Sequence, residues 1–223
     1  MSEEKTYKKE KLQNKNPKFL PIEKFRFQKA ISFIKGNKIL DAGCGNGFML
    51  QMLSKNKKLK LNGFDLSPDR IKISKKNAPK AKIYQDSLYN ISQKDQSFDT
   101  VLCLEVIEHI KEYQKAIKEI LRITKKRAII SVPYNEKIIY EICIHCGRET
   151  PRNRHQNSFD ENKFIKIIDQ KSYKVKFIKF NNYFNTVRSK NSFLLALQIQ
   201  FDRFLNFLMP NKARHIIVII DRK

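Results

Sequence analysis

The 223-residue chain has no apolar run approaching the ~20 residues that a membrane-spanning helix needs, so a helical integral membrane protein is excluded. Its first stretch, MSEEKTYKKEKLQNKNPKF, is charged and lacks the apolar centre of a secretory signal. Cysteine is scarce: Cys44, Cys103, Cys143 and Cys146 do not make a disulfide framework, and a reducing cytoplasm is the expected setting. The pair Cys143 and Cys146 is half of a zinc ribbon, but a second C-x-x-C is missing. His145 and His155 are the nearby additions, so Cys143, Cys146 and His155 form one candidate zinc set, against the plainer reading of two reduced thiols in a loop. No internal repeat is visible.

Acidic residues are few, 22 against 46 basic ones, for a formal charge of +24. Such a balance often marks nucleic-acid binding. Here 35 of the bases are Lys and only 11 Arg, beside 18 Asn and 28 Ile. Lys, Asn and Ile share AT-rich codons, and the lysines are spread along the chain. Codon bias accounts for the charge better than a footprint concentrated on one face, and a nucleic-acid partner is not favoured.

What is present is an alternation of short apolar runs with helical patterns. Residues 1–20 read as a solvated basic arm. A helix is expected over IEKFRFQKAISFIKG, ended by Gly36. KILDA, KLNGFDLS, AKIYQD, SFDTVLCLE and RAIISVP read as strands. NGFMLQMLSKN, SPDRIKISKKN (Ser cap, Pro at the first position) and HIKEYQKAIKEILRIT read as helices, the last with Ile110, Tyr113, Ile117, Ile120 and Leu121 on one side. This is an α/β order with a mainly parallel sheet covered on both faces. After Pro133 comes an irregular insert, 134–157. A helix in FDENKFIKIIDQ, a strand in KVKFIKF, a very apolar helical segment at 189–209 and a closing strand in ARHIIVIIDRK follow. Residues 21–223 thus read as one domain.

Gly43, Gly45 and Gly47 alternate after the first strand, with Asp41 before them, in ILDAGCGNGFML. A strand, glycine turn and helix place backbone amides at the carboxyl edge of a sheet, where ligands bind. The spacing is neither the G-x-G-x-x-G of dinucleotide sites nor a P-loop, which ends in Gly-Lys-Ser/Thr. Asp41 repels a pyrophosphate and suits a cation, so a ligand with ammonium and sulfonium groups fits. Asp65 ends the second strand, where a carboxylate accepts both ribose hydroxyls, and Asp86 ends the third, beside an adenine edge.

With LDAGCGNG, GFDLS, QDSL and FDTVLCLEVIEHI in order, the chain resembles the class I S-adenosylmethionine-dependent methyltransferases over about residues 22–133 plus the closing strand. The resemblance implies a Rossmann-like fold with a mainly parallel seven-stranded sheet. It implies S-adenosylmethionine as cofactor, held by Asp41, Gly43, Gly45, Asp65, Leu66, Asp86, Ser87 and Leu104. EVIEHI looks most like the type 11-like methyltransferases of quinone biosynthesis and related small-molecule enzymes.

Glu105, Glu108 and His109 stand at i, i+3 and i+4. A helix beginning at Glu105 would put all three on one face toward the methyl group, as catalytic residues or, with His155, as ligands of a divalent cation. Against this stands a reading in which Glu105 meets the cofactor while Glu108 and His109 cap and pack a helix start. In the 189–209 segment Phe193, Leu194, Leu197, Phe201, Phe204, Leu205 and Leu208 recur at helical spacing. They suit core packing or a dimer face, or else a peripheral membrane contact or substrate tunnel. The expected function is methyl transfer to a small molecule, lipid- or glycan-linked, at oxygen rather than carbon. The rivals are an RNA 2′-O-methyltransferase and a non-catalytic scaffold on the same fold.

Overall fold

The computed structural model describes residues 21–142, 147–180 and 212–223, together with 197, 200, 201, 204, 205 and 207–209. The order of elements is α1 (Pro21–Ile31), β1 (Lys38–Ala42), α2 (Phe48–Leu53), β2 (Lys60–Asp65), α3 (Pro68–Asn77), β3 (Lys82–Gln85) and β4 (Phe98–Leu104). A 3-10 turn (Ile107–His109), α4 (Tyr113–Ile123) and β5 (Thr124–Pro133) come next. The chain continues through β6 (Tyr140–Ile142), β7 (Glu149–Pro151), α5 (Glu161–Ile167), β8 (Tyr173–Phe180) and β9 (His215–Arg222).

Seven strands form one sheet in the order β3-β2-β1-β4-β5-β9-β8, and β6 and β7 form a separate hairpin. Strands β1 to β5 pair in parallel, while β9 runs antiparallel to both β5 and β8. The inner strands are apolar throughout because both faces are covered. Leu40, Ala42, Val101, Cys103, Ile130 and Val132 point to one side, under Ile117 and Ile120 of α4 and Phe164 of α5. Ile39, Leu102, Ile129, Ile217 and Ile219 point to the other, against Leu50 and Leu53 of α2 and Ala30 of α1. Alternate residues of one strand therefore feed two cores.

The helices start where their sequences dictate. Ser67 Oγ accepts from the amide of Arg70 at the head of α3, with Pro68 at its first position. Asp160 accepts from the amide of Lys163 and caps α5.

Two expectations are corrected. The helix foreseen from His109 begins only at Tyr113, and Ile110 is extended. The carbonyl of Glu108, which a continuous helix needs, instead accepts the amides of Gln156 and Asn157. β5 starts at Thr124, earlier than its apolar run, because Thr124 pairs with Phe98 of β4 and extends the ladder. In the apolar segment the exposure bears on one of the readings left open, core packing. The segment's described positions are helical, but Leu197, Phe201, Phe204, Phe207 and Leu208 are 49–81% exposed, so these side chains do not enter this chain's core. Phe193 and Leu194 lie outside the described residues. Among the described residues no helix is long and apolar enough to cross a membrane.

The burial pattern separates two substitutions. Ile120 is fully buried, and Ile120→Ala should cost about 2–5 kcal/mol of stability in urea unfolding. Phe207 is 81% exposed, and Phe207→Ser should stay within about 0.5 kcal/mol of the parent. Equal losses at the two positions would show that the helical segment packs on the domain after all.

Candidate functional site

The carboxyl ends of β1, β2, β3 and β4 converge on one rim. After β1 the chain turns sharply through Gly43, whose φ is +80° and where a Cβ would lie 2.7 Å from Val106 Cγ2. Only glycine keeps that wall flat. The turn is tied to β2 twice: the amides of Gly43 and Cys44 both donate to the Phe64 carbonyl, at 2.9 and 2.8 Å. Asp65 adds side-chain ties. One carboxylate oxygen accepts the Gly45 amide and the other the Ser67 amide, each at 2.9 Å. Each oxygen keeps a further lone pair for a ligand hydroxyl. Asp86 is held by the Ser87 amide at 2.8 Å and by the hydroxyl of Ser92 at 2.7 Å.

Two cavities meet at this rim. The smaller, about 170 Å³, is lined by Arg26, Asp41, Gly45, Met49 and Leu104 among others. The larger, about 430 Å³, is lined by Asp65, Leu66, Asp86 and Ser87 at one end. At the other end stand Val106, His109, Ile110, Arg152 and Arg154. Gly43, Arg70 and Glu105 line both. Every residue expected to hold the cofactor therefore borders one of these two spaces.

Asp41 is 4% exposed, and burial, with Asp65 adding to it, pushes its pKa up to about 7. No hydrogen bond to its carboxylate occurs among the described residues. A ligand ammonium at the smaller cavity fits that buried acid, and ribose hydroxyls fit the lone pairs of Asp65. The donor set thus suits S-adenosylmethionine.

Beyond β4 the structure parts the three residues expected on one helix face. Glu105 is in the left-handed region, φ +56°, and not in a helix. Its carboxylate accepts from Arg26 at 2.6 Å and from Ser131 Oγ at 2.9 Å. Glu105 is therefore tied to α1 and β5 and does not join the other expected ligands. Glu108, His109 and His155 do come together, with one ligand atom of each lying within 4.8 Å of the others. Glu108 is 1% exposed, and among the described residues neither carboxylate oxygen has a hydrogen-bond partner. Burial, with Glu105 nearby, holds its pKa well above the usual range. The rings of His109 and His155 meet edge to face at 4.7 Å. Burial lowers the pKa of His109 to about 4. The alternative zinc set falls partly outside the described residues, since Cys143 and Cys146 are not among them.

Arg26, Arg70, Ser131, Glu136, Arg152 and Arg154 also reach the site and carried no local motif. Arg70 alone had a usable signal: it sits in the first turn of the helix that follows the ribose acid. The others arrive through tertiary pairing from α1, β5 and the insert.

Comparison with known proteins agrees with this geometry. Residues 40–132 match the family model described as a methyltransferase domain. A ubiquinone biosynthesis O-methyltransferase of Coxiella burnetii is 33% identical over 96 residues, covering 41% of each chain. Norajmaline N-methyltransferase of Rauvolfia serpentina is 33% identical over 104 residues, 44% of this chain and 36% of that one. These matches span less than half the length of either relative. A methyltransferase structure from Archaeoglobus fulgidus superposes with a TM-score of 0.64 at 17% identity, covering 90% of this chain and 93% of its own. Residues 40–132 are thus similar in sequence to the methyltransferase domain family, and the described chain shares the fold of S-adenosylmethionine-dependent methyltransferases.

Asp41 provides a pH test. Folding holds its proton up to about pH 7 against an ordinary 3.8. In the ligand-free protein its stabilising contribution is therefore complete below 3.8 and lost as pH rises through about 7. An ammonium beside it reverses the preference, so binding releases the proton. The affinity for S-adenosylhomocysteine should rise by up to about tenfold per pH unit toward neutrality and then level off. Asp41→Asn should remove the dependence. Calorimetry showing a pH-independent affinity in the parent would contradict this role.

Proposed function

We propose that the chain transfers the methyl group of S-adenosylmethionine to an oxygen atom of a small-molecule acceptor seated at the His109 end of the larger cavity. One observation carries the reading. A single space runs from Asp65, Asp86 and Ser87 to Val106, His109 and Ile110, so a cofactor compartment and an acceptor compartment share one wall. The relatives named for ubiquinone biosynthesis and norajmaline methylation support a small organic acceptor.

The cofactor supplies an electrophilic methyl on a sulfonium. The chain must orient a nucleophile toward it and take up the proton that a hydroxyl loses. Asp65 and Asp86 anchor the far end, which sets the direction in which the methyl points. Leu88, Val106 and Ile110 give the acceptor apolar walls. In the absence of a cation, His109 is the group placed to take up the proton. Its Nδ1 lies 3.2 Å from the Arg154 carbonyl, so the ring hydrogen of the neutral form sits on Nδ1. With its pKa lowered to about 4, the ring is neutral at pH 7.

The same residues fit a divalent cation. Among the described residues Glu108 has two buried oxygens without partners, and His109 and His155 lie beside it in one cluster of ligand atoms. A cation held by these three would act as a Lewis acid that acidifies a bound hydroxyl.

Two measurements test the proposal. Cells lacking the gene should lose a metabolite and accumulate one lighter by a methylene; an unchanged metabolite profile would contradict a small-molecule acceptor. With purified protein, exhaustive chelation should reduce turnover to background while the affinity for S-adenosylhomocysteine stays within about twofold. Turnover that survives chelation would assign proton uptake to His109 without a cation.

A further inference from the structure

We infer that the methyl acceptor carries an anionic group, a carboxylate or a phosphate ester, and that Arg152, with Arg154, determines specificity by recognising it at the mouth of the larger cavity. The inference deepens the acceptor compartment proposed above and rests on that reading.

Charge is divided along the larger cavity. The acids that line it are committed. Asp65 and Asp86 accept backbone amides at the cofactor end, and Glu105, where the two cavities meet, accepts from Arg26 and Ser131. At the other end, beside His109 and Ile110, stand Arg152, Asn153 and Arg154, and among the described residues no carboxylate lines that end. A cleft lined by one sign of charge focuses its field on a ligand of the opposite sign. The excess of basic residues in the chain does not account for this lining. Lys outnumbers Arg by 35 to 11, yet every basic residue on the cavity wall, Arg70 included, is Arg. A planar guanidinium matches the paired oxygens of a carboxylate or phosphate, which an ammonium does not.

The main chain fixes where these side chains start. Pro151–Arg154 closes as a β-turn, the Arg154 amide donating to the Pro151 carbonyl at 2.9 Å, and Arg154 itself is left-handed, φ +59°. On the approaching side the turn is held by the β6–β7 hairpin and by the Arg152 amide, which donates to the Ile139 carbonyl at 2.9 Å. On the departing side the Arg154 carbonyl lies 3.2 Å from His109 Nδ1, and the amides of Gln156 and Asn157 donate to the Glu108 carbonyl. The turn is thus registered against the residue that faces the acceptor. Glu141 steadies Arg152 through Nε, at 2.6 Å. The two Nη groups of Arg152 make no hydrogen bond among the described residues, so the fork is oriented and can still donate to a ligand. A side chain held in advance loses less freedom when it binds.

Ligand-observed NMR titration of the full chain, saturated with S-adenosylhomocysteine, is the test. The probes are benzoate against benzamide and phenyl phosphate against phenol. In each pair the anion should bind about tenfold more tightly than its neutral partner. Tighter phenyl phosphate would assign a phosphate ester, and tighter benzoate a carboxylic acid. Arg152→Gln should reduce the preference about threefold, and the pair Arg152→Gln with Arg154→Gln should abolish it. Arg152→Lys keeps the charge without the fork and should recover part of the loss. Lys137→Gln removes the same charge from an exposed position of the insert that does not line the cavity, and should leave the preference intact. Equal binding of anion and neutral partner by a parent that binds S-adenosylhomocysteine would overturn the inference and leave methyl transfer standing. A preference that survives the double substitution, or falls equally in Lys137→Gln, would overturn the role of the turn. Absent S-adenosylhomocysteine binding would strike methyl transfer itself.

Discussion

The carboxylate of Asp65 is the fastening on which the site depends. It joins the glycine turn after β1 to the head of α3 by accepting the amides of Gly45 and Ser67. Two loops that diverge from neighbouring strands become one rigid rim. The same oxygens face the larger cavity, so the group that shapes the rim is also the group that a ligand meets. Gly43 completes the arrangement from the other side. Its missing side chain lets Val106 close against the turn, which brings the segment after β4 to the wall shared by both cavities.

The insert has a matching part at the acceptor end. A class I sheet by itself presents a cofactor edge and leaves the space above it open. Here residues 152–157 come over that edge, and their hydrogen bonds to Glu108, His109 and Ile110 hold them there. Arg152 and Arg154 then stand on the cavity wall. The 3-10 turn at Ile107–His109 gives up helical continuity in exchange: the Glu108 carbonyl serves the insert rather than α4. Local propensity yields to tertiary hydrogen bonding at the place where the chemistry is positioned.

Much of the fold could be read from the residues. Apolar runs such as KILDA and RAIISVP marked strands buried on both faces, and the glycine turn with its three strand-end acids marked the cofactor edge. The acids at 41, 65 and 86 do border the cavities. In the segment after β4 the i, i+3, i+4 spacing implies one helix face that the structure does not form. A left-handed Glu105 breaks that geometry, and its pairing with Arg26 spans 79 positions, which no local pattern records. His155 could be named from its residue type, but Arg152 and Arg154 could not, since their importance comes from a turn fastened on both sides by tertiary hydrogen bonds. The exposure of Phe201 and Phe204 was equally hidden: a helical apolar stripe looks the same whether or not anything covers it.

The central claim is that this rim recognises S-adenosylmethionine through Asp65. Calorimetry with S-adenosylhomocysteine and NADH on the parent and on Asp65→Ala tests it most directly. The parent should bind S-adenosylhomocysteine and prefer it to NADH. The variant should lose an order of magnitude or more, since each charge-assisted hydrogen bond to the ribose contributes about 1.5–3 kcal/mol. Tighter binding of NADH, or an affinity unchanged by the substitution, would contradict the account.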